Sequence, residues 1–107
     1  MVNDSANATL SKQGLKILLC FCETKNRSLA GADVLRETGI STGTLYPLLH
    51  KLKNQGLLKS EKETGDPREL GRPLRTFYSI TSDGVRAVER ELSELRVIKT
   101  GLTLAGT

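Results

Sequence analysis

The side chains best able to act on another molecule fall in two runs of the sequence. Thr42, Thr44, Tyr46, His50 and Lys51 bring hydroxyls, the single imidazole of the chain and an ammonium close together, and Arg68, Arg72 and Arg75 place guanidiniums in a later stretch. These groups donate to phosphate oxygens and base edges. No paired carboxylates, phosphate-cradling glycine loop or nucleophile with a nearby base accompanies them, so the chemistry on offer is recognition and not catalysis. Cys20 and Cys22 lie two apart in an apolar run. On a helix that spacing turns their side chains about 200° apart, which prevents a bridge between them. Buried small apolar residues are the simplest reading, with a thiol sensor or an intersubunit disulfide as the alternative. Two thiols and one distant imidazole match no metal-ligand spacing, so neither metal nor cofactor is expected.

The first run must be held on a helix. At the helical repeat Leu45, Leu48, Leu49 and Leu52 fall within one arc of about 100°. The opposite arc carries Gly43, Tyr46, Pro47, His50 and Asn54, with Thr44 and Lys51 on its flank and no carboxylate. Ser41 stands where an N-cap accepts from first-turn N–H groups, and Gly56 where a left-handed turn ends the helix. With the preceding pattern over residues 29–38 and a turn at Gly39, Ile40 and Ser41, the segment predicts a helix-turn-helix whose second helix offers Ser41, Thr42, Gly43, Thr44, Tyr46, Pro47, His50 and Lys51 to DNA. A plain pair of packed helices shares this spacing. Pro47 removes one helical hydrogen bond, at a usual cost of about 3 kcal/mol. It either tilts the first turn toward a groove or merely stiffens it.

The second run requires a hairpin. Residues 57–62 and 76–80 are short apolar or alternating runs suited to antiparallel pairing. Between them Gly65, Asp66-Pro67, Gly71 and Pro73 favour a long hairpin tip. Such a wing places Arg72 and Arg75, and less directly Arg68, where they can meet phosphate or a narrow minor groove. Because Glu63, Asp66 and Glu69 share the loop, a solvated charged segment is the competing reading. The whole predicts a mainly α fold with a small β-hairpin, a winged helix-turn-helix of three helices, a two-stranded wing and a C-terminal helix.

At 107 residues the chain suits one domain over residues 10–99, with a flexible N-terminus at 1–9 and a flexible tail at 100–107. Its formal charge is +4. Residues 41–60 hold Lys51, Lys53 and Lys59 and no acid, whereas Glu89, Glu91 and Glu94 mark the last helix as solvated or partner-facing. No secretion signal or membrane-spanning run is recognisable, so a cytoplasmic location is expected.

Gly43-Thr44-Leu45-Tyr46-Pro47-Leu48-Leu49, then Leu52, Gly56-Leu57-Leu58, Gly71-Arg72-Pro73, Phe77-Tyr78, Ile80-Thr81 and Gly84 closely resemble the PadR family of bacterial transcriptional regulators. The resemblance spans residues 10–95. It implies a homodimeric repressor whose Gly-Thr-Leu-Tyr-Pro helix enters the major groove of an operator and whose Gly-Arg-Pro wing touches flanking backbone. It also implies that Tyr46 binds phosphate and Leu45 is core. The chain departs from members with a long C-terminal dimerisation domain and fits the short-form branch. Members that hold planar drugs between subunits use tryptophan there. This chain has none, and no other pattern names a small-molecule effector.

Dimerisation is also readable from the last helix, where Val85, Val88, Leu92 and Leu95 repeat at spacings of three and four. Packing once against its own domain is the alternative for this seam. A subunit contact would be shared with the first helix, where Leu15, Ile17, Leu18, Leu19 and Phe21 give more apolar surface than one face needs; Leu15 and Leu18 are the residues assigned to it. Winged helices also serve as docking domains, so a protein-interaction module without DNA binding is the alternative function.

Overall fold

A computed structural model of the chain describes residues 10–25 and 27–106, with side chains of the last helix described as far as Leu95. The segment 1–9 expected to be flexible, and Thr107, lie outside the described residues. Helix α1 (Lys12–Glu23) starts at Ser11, whose hydroxyl accepts from the Gly14 N–H at 2.9 Å. That bond satisfies one of the donors a helix start leaves open. One face of α1 buries Ile17, Leu18 and Phe21 completely.

A two-residue strand, β1 (Leu29–Ala30), leads into α2 (Gly31–Thr38) and then α3 (Thr42–Asn54). Helical periodicity from Leu29 predicted helix over this whole first stretch. Ala30 is instead extended, and its N–H donates to the Asp33 carboxylate at 3.0 Å, which fixes the helix start one residue later. The two glycines assigned to helix ends behave as expected, with Gly39 at φ 70° and Gly56 at φ 78°. Both angles are ones that side chains with a Cβ avoid. The helix-turn-helix is therefore present, with Ile40 buried in its turn.

Strands β2 (Leu58–Lys62) and β3 (Thr76–Ile80) pair antiparallel, Leu58 opposite Ile80 and Lys62 opposite Thr76. The sheet has one strand more than the hairpin predicts. β1 joins the other edge of β3, Leu29 opposite Tyr78, to give the order β1-β3-β2. The wing loop also contains a single helical turn, α4 (Pro67–Leu70), with Asp66 accepting from the Arg68 N–H at 2.9 Å and Gly71 closing it at φ 72°. The last helix, α5 (Ser82–Gly106), continues past the expected end near Lys99. No proline interrupts residues 100–106, so the backbone ladder can run on.

The core is one cluster. Leu45, Leu49 and Leu52 of α3 meet Ile17, Leu18 and Phe21 of α1, Val34 of α2, Leu57 and Leu58 at the sheet, and Ala87 and Val88 of α5. Cys20 is buried and Cys22 half-buried, both as free thiols whose pKa burial pushes up, with neighbouring carboxylates adding to the effect. Burial thus disfavours the thiolate at both positions. Among the described residues no helix is long and apolar enough to cross a membrane, and no cluster of metal-ligating side chains occurs.

Candidate nucleic-acid interface

With Leu45 and Leu49 fully buried and Leu52 nearly so, α3 is locked about its own axis. Thr42, Gly43, Thr44, Tyr46, Pro47, His50 and Lys51 are all exposed as a consequence. The helix runs unbroken through Pro47. Lys51 lies on the flank beside Leu48, on the side of α3 that faces Ser11 and Arg90 across a small depression.

Ser41 occupies the N-cap position, but its hydroxyl makes no capping bond and instead lies 3.4 Å from the Thr44 hydroxyl. The cap expected from sequence is thus supplied by the Ser41 backbone alone, whose carbonyl accepts from Thr44 and Leu45 at 3.0 and 2.8 Å. The N–H groups of Thr42 and Gly43 find no protein acceptor among the described residues. Open N–H groups at a helix start, aligned with its dipole, favour an anion.

Tyr46 extends this surface toward the wing. Its ring crosses the start of α2, where a Cβ placed on Gly31 would sit 2.6 Å from Tyr46 Cε1 and 2.9 Å from its hydroxyl. Only glycine permits that approach. Gly31, Tyr46, Arg75, Thr76 and Tyr78 line a groove of about 330 Å³ that joins α2, α3 and the base of the wing. Burial pushes the Tyr78 phenol up, and the nearby Tyr46 adds to this. Sequence reasoning missed Gly31. A glycine directly after a strand and opening a helix is a usable signal, but its partner lies fifteen positions away on another element.

In the wing, Arg72 and Arg75 differ. The Arg72 guanidinium forms a two-pronged ion pair with Glu63, Nη1 to Oε1 at 2.7 Å and Nη2 to Oε2 at 2.9 Å. The group assigned from sequence to phosphate is thus already committed within the chain. Arg75 uses its backbone N–H toward Glu63 at 3.1 Å, while its side chain stays exposed without a partner among the described residues. Arg68 is exposed on α4. Held by the Arg72 hydrogen bonds first and the Arg75 N–H second, the Glu63 carboxyl is lowered to about 2.

The residues assigned to a subunit contact separate into two groups. Leu18 is fully buried and Val88 is 4% exposed, both inside the core of one chain, which corrects their assignment. Apolar spacing alone does not distinguish a helix's own core from a partner. Leu15 and Val85 are half-buried at the edge of α1 and α5, whereas Leu92 and Leu95 are 41% and 53% exposed. Glu91 accepts from the Leu10 N–H at 3.0 Å, and from Leu92 to Leu95 every side chain is exposed.

Comparison with known proteins identifies the family and the fold. Residues 31–90, more than half of the chain, match the model of the Transcriptional regulator PadR-like family. A PadR family regulator from Eggerthella lenta superposes with a TM-score of 0.68 at 24% identity, covering 87% of this chain and 82% of that one. Another from Clostridium difficile gives 0.65 at 21% identity over 87% and 98% of the two chains. These likenesses establish the winged-helix fold. In sequence the chain is 26% identical over 72 residues to the regulatory protein AsnC of Haemophilus influenzae, 67% of this chain and 48% of that protein, so it spans about half the length of this curated relative. From strand, turn and helix to family match, the chain belongs to the PadR-like family of transcriptional regulators.

Proposed function

We propose that this regulator binds duplex DNA as a two-fold dimer and acts as a repressor, with α3 in the major groove and the wing beside it. The observation that carries the reading is continuity of donors over one surface. The open N–H groups of Thr42 and Gly43, the Tyr46 hydroxyl and the Arg75 guanidinium lie along α3 and the groove that joins it to the wing, and α3 itself has no carboxylate. A phosphate strand crossing this surface meets backbone dipoles and charge, while Thr44 and His50 on the exposed side of α3 face base edges. With one such surface per subunit, an operator is an inverted repeat whose half-site centres lie about one turn, roughly 34–36 Å, apart.

Substitutions separate the contact classes. Arg75→Ala should weaken binding to operator and random duplex alike and flatten the dependence of log K on log salt by about 0.9, one phosphate's worth. His50→Ala or Thr44→Ala should change base preference by about 1–3 kcal/mol at the position each reads. Binding isotherms on operator and scrambled duplex across a salt series provide the measurement. Equal losses on both duplexes for every variant would remove the base-reading role.

Gly31→Ala gives a further expected result. The added methyl displaces the Tyr46 ring and leaves the core intact, so thermal stability should change little. Affinity for any duplex should fall by about tenfold, the scale of one hydrogen bond to a charged group. Unchanged affinity would mean that Tyr46 does not need the path over Gly31 to reach DNA.

A further inference from the structure

We infer that Arg72 is a positioning residue: paired with Glu63, it fixes the shape of the wing that presents Arg68 and Arg75, and does not itself bind phosphate. This rests on the DNA-binding reading above. Past the end of the β2–β3 ladder, the chain makes one more backbone bond, Glu63 N–H to the Arg75 carbonyl at 2.8 Å. Beyond that bond the loop has no partner strand. Its return path is closed by side chains.

Glu63 Oε1 accepts from both Arg72 Nη1 and the Arg75 N–H, while Oε2 takes Arg72 Nη2. Arg72 Nη1 also donates to the Pro73 carbonyl at 3.2 Å. On its other side, the Arg72 N–H and the Gly71 N–H both donate to the Pro67 carbonyl, at 3.2 and 2.9 Å, so Arg72 grips the end of α4. Arg72 thereby ties the helical turn carrying Arg68 to the strand base carrying Arg75. Glu63 and Arg72 side chains are 19% and 33% exposed, so both partners of this pair are partly buried, whereas Arg36 and Arg86 of the other ion pairs among the described residues are 70% and 66% exposed. An exposed single ion pair contributes little. A two-pronged pair joined to backbone donors fixes a geometry as well.

The sign of the Glu63 effect separates this role from direct phosphate contact. Removing an acid beside DNA ordinarily strengthens binding, because one repulsion is lost. Removing the acid that holds the wing should weaken it. The test is a double-mutant cycle on the full chain, with affinity for a labelled mixed-sequence duplex read at low salt. Glu63→Ala and Arg72→Ala should each lower affinity by about three- to tenfold, and the double variant should bind no worse than either single one. Glu63→Gln should fall between, since its amide oxygen keeps an acceptor and loses the charge.

Hydrogen exchange reads the same pair without DNA. In Glu63→Ala, protection at the Arg75 and Gly71 amides should be lost while core amides of α1 and α3 keep theirs. An Arg72→Ala loss that persists in full on the Glu63→Ala background would overturn the inference and make Arg72 a phosphate contact. Tighter binding by Glu63→Ala, or wing amides unaffected by it, would overturn it too. Wild-type protein with no duplex affinity would instead sink the DNA reading, and the exchange experiment would still show whether the pair shapes the wing.

Discussion

Leu92→Asp should leave a folded chain that no longer dimerises and whose affinity for a two-half-site operator falls by roughly 10²–10⁴, the gain that linking two binding units supplies. The size of the effect follows from where the residue lies. Among the described side chains of α5, Leu92 and Leu95 are the large apolar ones left open, at 41% and 53% exposure, just beyond the bond between Glu91 and the start of α1. In the same helix Leu95 lies two turns on from the buried Val88 and points in nearly the same direction. A second copy covering this stretch would bury both leucines, each contributing roughly half of the about 1.5–3 kcal/mol that full burial of an exposed side chain supplies. Aspartate there puts a carboxylate into the seam while leaving the core of one chain untouched. Val88→Asp is the informative contrast, since its side chain is core and the substitution should unfold the domain. Sedimentation at micromolar concentration reads the first outcome and circular dichroism the second. A Leu92→Asp protein that stays dimeric with full operator affinity would place the subunit contact elsewhere.

Gly84→Ala should be the most damaging small substitution for stability. A Cβ at Gly84 would stand 2.2 Å from the Leu57 carbonyl oxygen and 2.6 Å from Ile80 Cγ1. That carbonyl cannot retreat freely, because it accepts from the Thr81 N–H at 3.1 Å. Thr81 in turn donates its hydroxyl to the Gly56 carbonyl at 2.6 Å and accepts from the Gly84 N–H at 3.0 Å. The knot joins the end of α3, the start of β2 and the start of α5. Forcing it apart should cost about 3 kcal/mol, a value at the upper end for overpacking. The corresponding fall in Tm is about 10–20 °C for a domain of this size. Gly43→Ala serves as the control, since nothing lies within 4 Å of a Cβ there. In the first turn of α3 alanine should be neutral or slightly stabilising. A Gly84→Ala domain that melts within about 3 °C of wild type would show that α5 can slide on the sheet without loss.

The elements that position the interface were legible where the signal is local. The leucine arc of α3, the glycines that follow α2 and α3 and the two wing strands each depend on near neighbours in sequence, and their boundaries fall within a residue or so of expectation. Features made by distant pairing were not legible. β1 is two residues long and exists only because β3 offers an edge. The Glu63–Arg72 pair spans nine positions across a loop with other acids and bases to choose from. Leu18 and Val88 carry the same apolar label as Leu92, and only packing tells which belong to one chain. One miss had a readable signal. Asp66, Pro67 and Gly71 follow the N-cap, first-turn proline and C-terminal glycine order of a helix, and they form α4 where the composition reads as turn.

We propose above all that α3 and the wing form a DNA-binding surface used in pairs. A titration of labelled duplex from upstream of the protein's own gene, followed by mobility shift over a salt series with the stoichiometry determined, tests it most directly. Two chains per duplex are expected, with an affinity that falls steeply with salt at a slope of about −0.9 for each phosphate held. Affinity indifferent to salt, absent altogether, or saturating at one chain per duplex would contradict it.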